Sequence, residues 1–217
     1  MSMELLEDRG DERDYALERL IMLSDGVFAI AITLLALELR PPEDWDRSLS
    51  GLWLGMWRPA LAFLFSFIAI GAFWISHRRM FGRFCSADLP LTILNLMLLG
   101  WITLVPVATN LVYTGGPRGG GFIVYVGLLT LIGLSNACVW AYVAFVRPSL
   151  FRREPPRAVR LQVLAVMMVL PVVMPVAGLV VAQRLPAWSL AGVGVIVLGL
   201  RVLRGRIKHR MEPEWRP

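Results

Sequence analysis

The sequence predicts an all-α, polytopic membrane protein of six transmembrane helices, and three observations carry that reading. Of 217 residues, 57% are hydrophobic, well above the apolar share of an ordinary soluble domain. The apolar residues come in near-continuous runs, each long enough to cross a hydrocarbon layer of roughly 30 Å. Almost all the arginines fall between those runs or in the C-terminal tail, where a polytopic protein keeps them.

The runs lie near 20–39, 56–76, 89–112, 121–146, 159–182 and 186–203. The first follows MSMELLEDRGDERDY, which has no short apolar core with a small-residue cleavage site, so it is expected to stay as a span and not to be removed as a signal peptide. Pro41 and Pro42 end it. The second run closes on His77-Arg78-Arg79, the third on Gly115-Gly116-Pro117, and the fourth at 146 before an arginine-rich loop at 147–160. Pro155 and Pro156 precede the fifth, acting as breakers. Only Gln183, Arg184 and Pro186 separate the fifth from the sixth, a tight turn, since the combined stretch is far too long for one span. Residues 1–18 then form an N-terminal segment, 19–204 the six-helix domain and 205–217 a basic tail.

Lysine and arginine set the orientation. With both termini on one side, that side carries 17 of the 22, and the other carries only Arg40, Arg47, Arg58, Arg118 and Arg184. Both termini are therefore expected to be cytoplasmic. Trp45, Trp53 and Trp57 are expected near the outer interface. The formal charge of +6 is accounted for by this asymmetry, and no aromatic-plus-basic module suited to nucleic acid accompanies it.

The first run opens with polar residues at depth: Arg19-Leu-Ile-Met-Leu-Ser24-Asp25-Gly26. A charge inside a span is costly and marks either function or a buried network. At 100° per residue, Leu23, Gly26, Ile30, Thr33, Leu34 and Leu37 share one stripe with Arg19, and Asp25 falls on the opposite side near Phe28 and Ile32. The stripe fits ordinary helix packing. The other reading is a pore wall, with Ile30, Leu34 and Leu37 as hydrophobic constrictions and Thr33 offering oxygen to a partly dehydrated cation. Periodicity does not choose between the two.

Asp25 and Arg19 are too far apart around the helix to pair, so partners must come from other spans. His77, in FWISHRRMF, and Asn95, in TILNLMLLGWITLVP, are expected at the depth of Ser24 and Asp25. The resulting polar cluster is expected to hold helices together in preference to relaying protons. No HExxH, GxSxG or phosphate loop occurs, and Cys85 and Cys138 have no disulfide or metal spacing; an enzyme is not expected. GGPRGGG at 115–121 lacks the Lys and Ser or Thr of a phosphate cradle. The TVGYG filter of ordinary potassium channels is absent as well.

SDGVFAIAITLLALEL, with Arg19 four residues before Leu23, resembles the R-x-x-x-F-S-D signature and first helix of the transmembrane protein 175 family, the lysosomal potassium channels and their bacterial relatives. FWISHRRMF resembles that family's second-helix ending and NLMLLGWITLVP its third helix, so the likeness covers about the first half by motif and the rest by helix count. Leu23 stands where the signature has Phe. The resemblance implies a homotetramer of single six-helix units in a bacterial plasma membrane, with the first helices lining a central pathway. It implies Ile30 as the hydrophobic constriction, Thr33 as a hydroxyl layer, and Leu34 and Leu37 as further narrow points. Ala29 stands where the animal channel has a second hydroxyl, which implies weaker discrimination of potassium from sodium. Arg19, Ser24, Asp25, His77 and Asn95 match the family's polar network.

The expectation is a passive, potassium-permeable channel gated by a hydrophobic constriction, with potassium in transit near Thr33, no fixed metal site and no cofactor. Its partners are further copies of itself, the lipid bilayer and monovalent cations. The alternative is a proton-coupled transporter using Asp25 and His77.

Overall fold

A computed structural model describes residues 4–41, 45–115 and 119–182. Six α-helices lie among them: α1 (Glu4–Leu37), α2 (Leu49–Phe81), α3 (Leu89–Thr103), α4 (Val105–Gly115), α5 (Gly120–Ala141) and α6 (Arg157–Ala182). Five stretches are long and apolar enough to cross a membrane: Tyr15–Leu37, Leu49–Phe81, Leu89–Thr114, Gly120–Val146 and Arg157–Val176. The expected sixth span at 186–203 and the basic tail lie outside the described residues.

Helix boundaries follow local chemistry. Ser48 caps α2, its hydroxyl accepting from the Gly51 amide at 2.9 Å. The Asp46 carboxylate in turn accepts from the Ser48 amide and hydroxyl. These bonds start α2 earlier than its apolar run predicts, at Leu49 instead of near 56. Asp88 caps α3 in the same way, accepting from the Leu91 amide at 3.0 Å, with Pro90 next to the cap where its missing N–H costs nothing.

The third apolar run is not one continuous helix. Pro106 has no N–H to give to the carbonyl four residues back. The chain tightens just before it, Leu104 donating to the Trp101 carbonyl at 3.2 Å, and α4 begins at Val105. At the far end of α5 the backbone widens into a π turn over Tyr142–Val146, closed by the Arg147 amide on the Tyr142 carbonyl at 3.0 Å. Pro148 then ends the helix.

Two apolar cores hold the bundle. One gathers Phe28, Ala31 and Leu35 of α1 with Ile70, Phe73, Leu98, Ile102 and Ile132. The other, at the arginine-rich end, joins Leu17 and Leu20 to Met80, Phe81, Phe84, Trp140, Leu150 and Phe151. Because lipid tails are as apolar as leucine, close packing and small residues, not hydrophobic transfer, drive association within a bilayer. The α5–α6 contact shows this: a Cβ on Gly133 would lie 2.9 Å from Pro171 Cδ, and one on Gly178 would lie 2.9 Å from Val126 Cγ1.

The α2–α3 and α5–α6 connections are stitched together at the arginine-rich end. Phe84 and Phe151 form an antiparallel bridge, Cys85 N–H donates to the Leu150 carbonyl and Arg152 N–H to the Arg83 carbonyl, each at 2.9 Å. An aromatic chain runs beneath, from His77 stacked on Phe81 at 4.1 Å through Phe84 and Phe151 to Trp140.

Candidate functional site

Helix α1 has two faces of opposite character. Leu20, Ser24, Phe28, Ala31 and Leu35 recur every three or four residues and are buried against α2 and α3. Leu23, Gly26, Ile30, Thr33, Leu34 and Leu37 form the other face, which no part of the described chain covers. Exposure there is 58% at Ile30, 41% at Leu34 and 66% at Leu37. A Cβ placed on Gly26 would meet nothing within 4 Å. The Thr33 hydroxyl donates back to the Ile30 carbonyl at 2.8 Å, which uses its proton and leaves the oxygen lone pairs facing outward.

Behind that face, three buried side chains from three helices form one hydrogen-bonded line. Ser24 Oγ donates to the Leu20 carbonyl at 2.7 Å; since a carbonyl only accepts, the hydroxyl proton is spent there. Ser24 can then only accept from Asn95, whose Nδ2 lies 2.9 Å away. The Asn95 Oδ1 therefore faces His77 Nε2, at 2.8 Å, and His77 must carry a proton on Nε2 to donate. Burial of all three at 2% exposure or less makes each bond costly to lose.

The other two polar residues of the first span go elsewhere. Asp25 Oδ1 accepts from Trp74 Nε1 at 2.7 Å, and the Arg78 guanidinium lies 5.5 Å above the same indole, a cation–π contact. Arg19 lies 5.7 Å over the Tyr15 ring. The structure thus joins Ser24, His77 and Asn95, turns Asp25 toward Trp74 and sets Arg19 on the helix surface. Trp74 escaped the sequence reading, although it lies three residues before His77 on the same side of α2 and is an N–H donor of the kind a half-buried carboxylate needs.

A second buried polar set was also missed. Thr109 Oγ1 donates to the Val105 carbonyl at 2.8 Å, so it accepts from Ser66 at 2.7 Å, and Ser66 accepts from Tyr125 at 3.0 Å. This line joins α2, α4 and α5 just beyond the Pro106 break. Nearer the end of the bundle remote from the stitched connections, Glu38 accepts from Asn110 through its carboxylate and from Tyr113 through its carbonyl.

At the arginine-rich end Asp88 accepts from Tyr142 at 2.6 Å and lies 3.4 Å from Arg147 Nε. Burial alone would raise its carboxyl. Hydrogen bonds from Tyr142, the Leu91 amide and Arg147 outweigh that and hold it below the usual carboxylate range. No group of three or more His, Cys, Asp or Glu able to hold a metal occurs among the described residues.

These features define the class: a polytopic, helical membrane protein whose first span carries a stripe that no described residue covers, backed by a polar anchor. A family model described as "Endosomal/lysosomal potassium channel TMEM175" matches residues 19–106. A potassium channel of Chamaesiphon minutus is 36% identical over 132 residues, 58% of this chain and 65% of that one. A potassium channel of Streptomyces collinus is 38% identical over 94 residues, covering 42% and 45%. The alignments thus span about half to two thirds of these relatives. The endosomal/lysosomal proton channel TMEM175 of Mus musculus is 27% identical over 154 residues, 69% of this chain and 30% of that protein. Among solved structures, the crystal structure of a lysosomal potassium-selective channel TMEM175 homolog from Chamaesiphon minutus superposes with a TM-score of 0.63 at 27% identity, covering 86% of this chain and 96% of that one. Together these matches support a place for this chain in the TMEM175 family.

Proposed function

We propose that the chain is one subunit of a potassium-permeable cation channel, a homotetramer in a bacterial plasma membrane with cytoplasmic termini, in which four copies of α1 enclose the pathway. The observation that carries this reading is the uncovered stripe. A helix face that alternates large apolar groups with one outward hydroxyl oxygen suits a narrow passage with a hydrophobic gate. Ile30 forms the constriction, Leu34 and Leu37 narrow the outer half, and Thr33 offers four oxygens to a passing ion without a fixed site. Ser24, Asn95 and His77 hold α1 from behind so that its open face keeps one rotation, and Asp25 on Trp74 adds a second tie.

The names of the relatives support a channel, and the hydrogen bonds support it over a transporter. Asp25 and His77 have separate partners, Trp74 and Asn95; the first bond fastens α1 to α2, and the second ties α2 to the Asn95 that in turn holds Ser24 of α1. Flux into liposomes tests the reading. Currents that reverse at the potassium equilibrium potential are expected; slow flux strictly coupled to protons would refute it.

A further inference from the structure

We propose that the arginine-rich end of the bundle holds the phosphate headgroup of an anionic membrane lipid between Arg79, Arg83 and Arg152. This inference is independent of the ion pathway.

Arg79 and Arg83 are four residues apart, Arg83 following the end of α2 in a tight turn closed by its amide on the Met80 carbonyl at 3.1 Å. The backbone bond from Arg152 N–H to the Arg83 carbonyl brings the third arginine to the same place, and Arg152 Nε donates to the Phe84 carbonyl at 3.3 Å. The Arg83 guanidinium lies 5.8 Å over the ring of Trp140. That indole is fully buried and donates to the Arg160 carbonyl at 3.0 Å, so it is a fixed platform. All three arginines are exposed.

Their charge is not neutralised among the described side chains. The two acids of the stitched connections are already engaged, Asp88 with Arg147 and Glu154 with Arg160. None of the three has a carboxylate within ion-pair distance among the described residues. Desolvation of its guanidinium, and then the charge of Arg79, push Arg83 below its ordinary range. The position decides which anion. These residues sit where the spans of α2 and α5 end and that of α6 begins, which is headgroup level, and juxtamembrane arginines at that level attract anionic lipid. A phosphate diester fits the planar, two-toothed donors of arginine.

Native mass spectrometry of the purified full chain in micelles containing either phosphatidylglycerol or phosphatidylcholine tests the site. Phosphatidylglycerol is expected to remain bound and phosphatidylcholine to be lost. Arg79→Gln, Arg83→Gln and Arg152→Gln are each expected to weaken retention by about fivefold, and Arg58→Gln, which removes the same charge at the other end, to leave it unchanged. Inorganic phosphate at equal concentration is expected not to displace the lipid. Retention unaltered in all three single variants, equal loss in Arg58→Gln, or displacement by inorganic phosphate would each overturn the proposal. The substitutions lie on the surface, and Arg152→Lys, which keeps the charge but not the planar fork, is expected to retain more lipid than Arg152→Gln and less than the parent.

Discussion

Asn95 and Ser24 meet across the α3–α1 contact, Asn95 Nδ2 donating to Ser24 Oγ at 2.9 Å, and this bond also settles the state of His77. Because the Ser24 proton is spent on the Leu20 carbonyl, the direction of every later bond in the line follows. Imidazole nitrogen shifts in a 15N-histidine-labelled sample should show His77 protonated at Nε2. Asn95→Ala leaves a buried hydroxyl oxygen and a buried ring N–H without partners, and thermal unfolding in detergent should show a loss of about 1–3 kcal/mol. A variant as stable as the parent would remove the anchor from the account.

Gly133 marks a close approach of α5 and α6. Pro171 Cδ belongs to a ring within helix α6 and cannot swing aside, so a side chain at position 133 must push the helices apart. Gly133→Leu should lower the unfolding temperature, equivalent to about 1–3 kcal/mol of overpacking. Gly26→Ala, on the uncovered face of α1, should leave the monomer's stability nearly unchanged.

Asp88 gives the fold an acid limit. Its carboxyl ionises more readily in the folded chain than in the unfolded one, so its contribution is complete above the ordinary carboxylate pKa of about 4 and is lost as pH falls through the depressed folded value. The unfolding temperature should therefore drop on acidification in that window. In Asp88→Asn, which keeps a capping oxygen, the parent's advantage at neutral pH should shrink toward zero in acid. Parallel curves for the two proteins at all pH values would contradict this.

The grouping of Ile30, Thr33, Leu34 and Leu37 on one face of α1 and the five described spans were legible because both rest on periodicity and length, which a sequence states directly; that this face is open was not, since the same periodicity suits a packed helix. The kink was less so. Pro106 was visible, but a proline in a long apolar run can be absorbed by neighbouring helices, and only the Leu104 turn reveals that it divides α3 from α4. The early start of α2 was hidden because Ser48 and Asp46 act through capping, a signal weaker than hydropathy. Ser24, His77 and Asn95 could be grouped by depth alone. Trp74 with Asp25, and Ser66 with Thr109 and Tyr125, required knowing which helices touch and how each is rotated.

A substitution at Thr33 tests selectivity apart from conduction. The Thr33 hydroxyl is the one polar side-chain group on that face between Leu23 and Leu37, and its proton goes to the Ile30 carbonyl, so Thr33→Val removes an oxygen at nearly constant side-chain volume. Bi-ionic reversal potentials should then show a smaller preference for potassium over sodium while current persists. Unchanged selectivity would remove the hydroxyl layer and leave the apolar constriction standing.

The most direct test places a single cysteine on the stripe. In a Cys85→Ser, Cys138→Ser background, Ile30→Cys should give planar-bilayer potassium currents that a charged thiol reagent blocks. Ile68→Cys, equally exposed on α2, should conduct normally and resist the reagent. If Ile30→Cys keeps its conductance and selectivity and is untouched by the reagent, the open face of α1 does not line the pathway.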